Sequence, residues 1–352
     1  MRRPLLLLTL AALLSYGHDM FLKLDEYYLP PNRAATIQLF NGTFDRSDNS
    51  IDRNRMVDVS LVHGGRRHRV DTTQWSERNN TTYLGFDTGA PGTYVAGVST
   101  RARDFDLAAD AFNDYLKHDG VLDELERRKA VGELDKDARE RYSKHVKAIF
   151  QVGETRSDDW SAELGYPIEF VPLSNPYSVH AGESLPVKLL RSGAPLANQL
   201  VYAGLREADD GHHHAAGEDH DHSHDHDEAA DHDHQAGTTQ LRTDAAGRIE
   251  VPITADGIWF LRTIHLEQLE EPGMTHESNW ATLTFQVDHG QPHSHAAGGD
   301  HEHDHDGGHE HHHGDGHDHD HDHDHEGLPS YVWWLGSLAV VAGLFVYFNR
   351  KA

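Results

Sequence analysis

The chain has 352 residues and contains no cysteine. This absence excludes disulfide bridges, thiolate nucleophiles and thiolate metal ligands. Basic residues are also scarce, because 31 lysines and arginines stand against 58 acidic residues and give a formal net charge of −27. Nucleic acid is therefore an unsuitable partner, since phosphate binding requires a basic face. The sequence has no phosphate-binding glycine loop and no serine-hydrolase elbow. We therefore expect a binding protein rather than an enzyme.

Histidine, by contrast, is abundant and concentrated in two tracts. Residues 212–234 and 289–325 hold 24 of the 32 histidines, together with many acids and no lysine or arginine. Neither tract has enough apolar residues to build a core, so we expect both to be disordered. Neutral imidazole binds nickel, cobalt, zinc and copper, and carboxylates add oxygen ligands. The composition therefore predicts weak, multi-site metal binding in preference to a purely acidic spacer.

The candidate ligands within the tracts are the imidazoles in their densest stretches, including the strict His-Asp alternation of residues 317–325. They are His212, His213, His214, His220, His222, His224, His226, His301, His303, His305, His317, His319, His321, His323 and His325. Imidazole ligands alone do not determine which divalent transition metal is bound.

Three histidines outside the tracts are further candidate metal ligands. Signal cleavage after Gly17 makes His18 the amino terminus, where its α-amine and Nδ1 form a chelating pair. His265 shares a predicted strand face with Trp259, and a structural role is its alternative explanation. His276 lies among polar residues just before a predicted strand, where a polar turn is the alternative.

Both ends of the chain have membrane signals. Residues 1–17 carry two arginines and a short leucine-rich run, which predicts a secretory signal. Residues 331–348 are uncharged and just long enough to span a bilayer. Arg350 and Lys351 follow, and basic residues favour the cytoplasmic side. We therefore expect a single-pass membrane protein whose main part lies in the periplasm or extracellular space.

The remaining sequence predicts a mainly β protein with two β-sandwich domains of immunoglobulin or transthyretin type. Short alternating runs between turns place them at residues 18–105 and 166–287. Residues 106–150 change to helical spacing, with Gly120 as an interruption, and predict a helical insert. The first His-rich tract forms a loop at residues 211–238, and the second forms a linker at 288–329.

Individual elements follow from the same patterns. Leu107, Ala111 and Tyr115 recur at helical spacing, and Tyr142, Val146 and Ile149 predict a further helix. The strands with the strongest patterns are predicted at residues 36–40, 56–62, 93–98, 185–190, 199–206, 248–253, 258–266 and 280–287.

Several short stretches carry a resemblance to a known family. They are His18 with Asp19, residues 105–116, 139–144, 164–167, 175–177 and 257–259, and His265. On these stretches the chain resembles a bacterial family of secreted domains of unknown function, often described as a periplasmic component of nickel or cobalt uptake. The resemblance implies β-sandwich domains and a metal-related role.

These observations predict a membrane-anchored, extracytoplasmic binding protein for nickel, cobalt, zinc or copper. It would be accessory to metal uptake or homeostasis and would act beside a membrane transporter. The second interpretation is a non-catalytic adhesion or carbohydrate-binding module in which the tracts are spacers. The third is a copper oxidase or monooxygenase that uses His18.

Overall fold

The computed structural model describes residues 18–206 and 237–288. The predicted signal sequence, both His-rich tracts and the predicted transmembrane segment lie outside the described residues. Strands form 52% and helices 14% of the structure, which confirms a mainly β protein with several sheets. No helix of the described part is long and apolar enough to cross a membrane.

The described residues form eighteen strands, two α-helices and four short 3₁₀ helices. The amino-terminal strands are β1 (Asp19–Lys23), β2 (Tyr28–Leu29), β3 (Ala34–Gly42), β4 (Met56–His63), β5 (Arg66–Arg69), β6 (Trp75–Arg78), β7 (Thr81–Asp87), β8 (Gly92–Thr100) and β9 (Arg103–Leu107). The helices are α1 (Ala109–His118) and α2 (Leu122–Val131). The later strands are β10 (Ala138–Val152), β11 (Ile168–Pro172), β12 (Ser184–Arg191), β13 (Ala194–Pro195), β14 (Leu200–Arg206), β15 (Thr238–Arg242), β16 (Arg248–Pro252), β17 (Gly257–Gln268) and β18 (His276–Val287).

A ten-stranded sheet joins the two predicted β regions. Its main path is β15-β14-β17-β18-β10-β8-β4-β5, and β2 and β9 also pair with β10. The 15-residue strand β10 lies at the centre, parallel to β18 and antiparallel to β8. Strands from both halves of the sequence therefore share one hydrogen-bonded sheet.

Two four-stranded sheets pack against this large sheet. The first, β1-β3-β7-β6, contributes Leu22 and Leu39 to a core with Val98 and Phe150. The second contains β11, β12, β13 and β16, and its Phe170 packs in a separate core formed with β17 and β18. Apolar burial on alternate strand positions accounts for both interfaces.

The two helices form a third core against β17 and β18. Phe112, Leu116 and Leu125 pack with Ile264 and Trp280. The turn between the helices contains Gly120 at a φ of 74°, a left-handed conformation that glycine adopts without strain. The helical spacing near Tyr115 and the interruption after α1 are thus confirmed.

The predicted helix through Tyr142, Val146 and Ile149 is wrong, because these residues belong to β10. The helices end at Val131, so the predicted helical insert of residues 106–150 also contains the longest strand. β10 is buried on both faces over most of its length, and apolar residues therefore occur at both odd and even positions. Such a strand imitates helical spacing, since its pattern does not alternate cleanly.

Candidate functional site

His276 has a protein partner at each ring nitrogen. Its Nε2 lies 3.1 Å from Glu124 Oε1, and its Nδ1 lies 2.7 Å from Thr275 Oγ1. The ring is buried and packs 4.8 Å from the ring of Phe112. These contacts tie β18 to α2 and α1, and they account for a buried histidine at this position.

His265 lies on the neighbouring strand but does not join His276 in one site. In the β17–β18 register, His265 faces Asn279, whereas His276 faces Gln268. His265 Nδ1 lies 2.9 Å from Gln199 Oε1, and burial lowers the pKa of the imidazole. Within residues 18–206 and 237–288, no three histidine or acidic side chains are arranged to hold a metal ion.

His18 lies next to a buried polar network at the start of β1. Its Nε2 is 3.2 Å from Asp48 Oδ2, and its carbonyl accepts a hydrogen bond from Lys144 Nζ. The adjacent Asp19 pairs with Arg262 at 2.8 Å, with both side chains at most 5% exposed. His18 therefore already has a carboxylate partner at its ring and an ammonium partner at its carbonyl.

The same network contains groups whose proton affinity is shifted by burial. Burial lowers the pKa of Lys144 to about 8 and raises the pKa of Glu140 to about 7. Glu140 accepts hydrogen bonds from Ser278 Oγ and, at 3.3 Å, from Tyr115 OH. An open cavity of about 790 Å³ borders Lys144, and Arg55, Arg103 and Tyr142 also line it.

The sheet brings together the positions where the two His-rich segments begin. Arg206, the last described residue before the first tract, pairs with Ile258, and Ile258 pairs with Gln286 near the end of β18. Adjacent strands are about 4.8 Å apart, so Arg206 and Gln286 are separated by about 10 Å. β14 and β18 run in the same direction, because each is antiparallel to β17. Both tracts therefore follow strands that end at the same edge of one sheet.

Sequence reasoning missed the buried histidine of β10. His145 is 2% exposed, with Ser99 Oγ 2.9 Å from Nδ1 and Ser143 Oγ 2.9 Å from Nε2. The helical interpretation of residues 142–149 concealed it. The sequence did contain a hint, because two of the stretches that carry the family resemblance are residues 139–144 and 164–167. In the structure, residues of both stretches line the same cavity as His145.

A buried ion pair lies two positions further along the same face of β10. Lys147 Nζ is 3.1 Å from Glu169 Oε2, and the side chains are 1% and 2% exposed. Glu169 also accepts backbone N–H bonds from Leu164 at 2.9 Å and Gly165 at 2.8 Å. The pair therefore fixes the segment before β11 beside His145.

The packed sheets and the helical pair define a mainly β protein whose central strand carries buried polar groups on both faces. A family model described as a domain of unknown function, DUF4198, matches residues 15–267, and the chain belongs to this family. No curated protein matches the chain.

Solved structures match at low sequence identity. A mutant Salmonella alpha-2-macroglobulin is 12% identical, with 77% of this chain and 15% of that chain covered and a TM-score of 0.19. The Yersinia pseudotuberculosis adhesin InvE is 12% identical, with 76% and 58% covered and a TM-score of 0.16. The Escherichia coli adhesin FdeC is 12% identical, with 77% and 63% covered and a TM-score of 0.17. This chain spans less than two thirds of each protein, and likenesses this distant carry no argument about function.

Proposed function

We propose that the protein is a membrane-anchored, extracytoplasmic binding protein for divalent transition metals, in which both His-rich tracts act together. The observation that supports this most is the common origin of the tracts at one sheet edge, through the Arg206, Ile258 and Gln286 register. The chain re-enters the same sheet after the first tract beside the strand that precedes it, since Thr238 of β15 pairs with Gly204 of β14. The two tracts are thus attached to the folded part at neighbouring points, which favours binding of one ion by imidazoles from both.

Tethering raises the effective concentration of the second tract for an ion already bound by the first. Linked binding elements gain roughly 10²–10⁴ in overall affinity when their geometry allows simultaneous contact. A starting separation of about 10 Å, set by two strand spacings, imposes almost no restriction on tracts of this length. Weak individual imidazole sites therefore combine into tighter binding.

Several sequence features complete the proposal. The predicted signal at residues 1–17 and the apolar residues 331–348 support a location of the metal-binding part outside the cytoplasm and near the membrane. We also propose a membrane metal transporter as partner, an expectation that comes from the sequence resemblance alone. We further propose that the packed sheets are sandwiches of immunoglobulin or transthyretin type.

Equilibrium dialysis of the full chain with nickel tests the proposal. Three variants replace histidine by asparagine in the first tract, in the second tract or in both, so that length and acidic charge are unchanged. We expect each single variant to lose bound nickel and also to weaken the tightest sites at least tenfold, because shared ions lose half of their ligands. The double variant should bind almost none.

The outcomes separate cooperation from simple addition. If each single variant loses sites while the affinity of the remaining sites is unchanged, the tracts bind metal independently. If the double variant binds as much nickel as the natural chain, the tracts are not the metal-binding elements and the proposal fails.

A further inference from the structure

A second cavity, of about 870 Å³, lies over the strands β8, β10 and β18. Ser99, Ser143, His145 and Asn279 form its polar floor. The segment at residues 164–167 and the turn at residues 191–193 also line it. Its volume falls within the range of small-molecule sites in proteins and far exceeds what a single ion requires.

The hydrogen bonds of the floor run in one direction. Asn279 Nδ2 donates to the Glu277 carboxylate at 3.1 Å, so its amide oxygen faces Ser143, which donates to it at 3.1 Å. Ser143 has then used its hydrogen and accepts from His145 Nε2–H at 2.9 Å. A neutral imidazole protonated at Nε2 accepts at Nδ1, and Ser99 Oγ supplies that hydrogen at 2.9 Å.

This direction determines what the floor offers to a ligand. Burial lowers the pKa of His145 to about 4, so the ring is neutral at physiological pH and keeps one donor and one acceptor. Both are used by the two serines. Because the Ser99 hydrogen points to His145, the Ser99 oxygen presents only lone pairs to the cavity. A ligand group beside Ser99 must therefore donate a hydrogen bond, as a hydroxyl does.

The rim of the cavity, unlike its floor, is lined by hydrogen-bond donors. Four arginines line it, namely Arg67, Arg101, Arg141 and Arg191, against the two acids Asp58 and Glu277. Both acids are already paired, Asp58 with Arg67 at 2.6 Å and Glu277 with Arg191 at 3.3 Å. Arg101 takes part in no ion pair among the described residues. Arg141 is also paired, with Glu271 at 3.0 Å, so Arg101 is the rim arginine that is left for a ligand among the described residues. Its positive charge favours an anion, and its planar fork matches a carboxylate.

We propose that this cavity binds a small organic anion that carries a carboxylate and a hydroxyl, a hydroxycarboxylate. Arg101 binds a carboxylate of the ligand, and the ligand hydroxyl donates to Ser99 Oγ. This site uses none of the tract histidines, so it stands independently of the proposed metal function.

Calorimetric titration of the full chain, freed of metal on a chelating resin, tests the ligand class. Citrate is compared with propane-1,2,3-tricarboxylate, which is the same molecule without the hydroxyl. We expect citrate to bind roughly five- to tenfold more tightly, the effect of one added hydrogen bond. Malate should exceed succinate by a similar factor, and inorganic phosphate should bind more weakly than citrate.

Two variants test the site itself. Arg101→Gln should weaken citrate binding about tenfold or more, because it removes a charged hydrogen bond. Arg103→Gln is the matched control, since Arg103 is also exposed but lines the cavity beside Lys144, and its citrate affinity should equal that of the natural chain. Ser99→Ala should abolish the preference for citrate over the tricarboxylate that lacks the hydroxyl.

Three results would overturn the proposal: no citrate binding at millimolar concentration, equal affinity for citrate and the tricarboxylate, or equal losses in the Arg101 and Arg103 variants. Circular dichroism checks the fold of each variant. If Ser99→Ala does not fold, the comparison of the two ligands on the natural chain and the Arg101→Gln variant still decide the matter.

Discussion

A fully buried lysine is stable only when its charge and all its hydrogens find partners, and Lys147 meets this requirement. Its Nζ donates to Glu169 Oε2 at 3.1 Å, to the Ala162 carbonyl at 2.8 Å and to the Phe170 carbonyl at 2.9 Å. Three donors thus meet three acceptors. Burial still lowers the pKa of Lys147, which reflects the cost of removing an ammonium group from water.

Removal of this lysine should be strongly destabilising. Lys147→Met leaves the Glu169 carboxylate buried without its cation, so we expect a loss of about 3–5 kcal/mol in the free energy of unfolding, measured with urea. Lys136→Met is the matched control, because Lys136 pairs with Glu133 while its own side chain is 63% exposed. The control should cost at most about 1 kcal/mol. If both variants lose the same free energy of unfolding, burial of the Lys147–Glu169 pair does not determine its contribution to stability.

The elements of the fold divide into those that local patterns predict and those that depend on distant partners. The strand predicted at residues 56–62 is confirmed as Met56–His63, and the strand predicted at residues 258–266 is confirmed as Gly257–Gln268. Both carry the β-type pattern over several residues. β10 could not be recognised as a buried strand from the sequence, because Lys144 and Lys147 suggest an exposed surface. In the fold both lysines are buried, and their charges are satisfied by Asn41 and Glu169 from other parts of the chain.

The candidate sites were less predictable than the strands. The density of histidine in the tracts is visible in the composition, but their common origin depends on the register of β14, β17 and β18. The cavity over His145 likewise combines strands from both halves of the chain with the segment at residues 164–167. Sequence spacing contains no information on such register, because long-range strand pairing is fixed by the packed core.

A glycine on β8 makes room for one wall of the cavity. A Cβ atom added to Gly97 would clash with Leu164 Cδ1 and Tyr166 OH. Gly97→Ala should therefore displace residues 164–167, destabilise the protein by about 1–3 kcal/mol and weaken citrate binding. Gly85→Ala on β7 is the matched control, since its nearest contact is the Gln74 carbonyl at 3.4 Å. Urea unfolding measures the change in stability, and calorimetry measures the citrate affinity. If the Gly97 variant is destabilised but its citrate affinity is unchanged, residues 164–167 do not contribute to citrate binding.

At the scale of the whole molecule, the histidines form two populations with different proton affinities. Those of the tracts lie among acids in the sequence, and we expect such neighbours to favour the charged imidazolium. His145 and His265 lie in the folded part, where burial lowers the pKa. Mild acid therefore charges the first population before the second.

Two buried groups have opposite effects on the stability of the folded part over the same range. The pKa of His145 is about 4 in the fold against 6.5 in the unfolded chain, so its stabilising contribution is lost as pH falls from 6.5. The pKa of Glu140 is about 7 against 4.5, so its destabilising effect is complete above pH 7 and is relieved as pH falls. At pH 5 each effect is on the order of 2 kcal/mol, with opposite sign.

Acidification from pH 7.5 to 5 should consequently release metal without unfolding the protein. Protons compete with nickel for each tract imidazole, and carboxylates alone hold such ions weakly. Dialysis should show loss of most bound nickel, while near-ultraviolet circular dichroism is unchanged and the free energy of unfolding shifts by no more than about 1–2 kcal/mol. The variant with asparagine in both tracts is the control and should bind almost no nickel at either pH. If both the natural chain and this variant retain nickel at pH 5, the metal site lies in the folded part and not in the tracts. His18, His265 and His276 would then be the first residues to substitute.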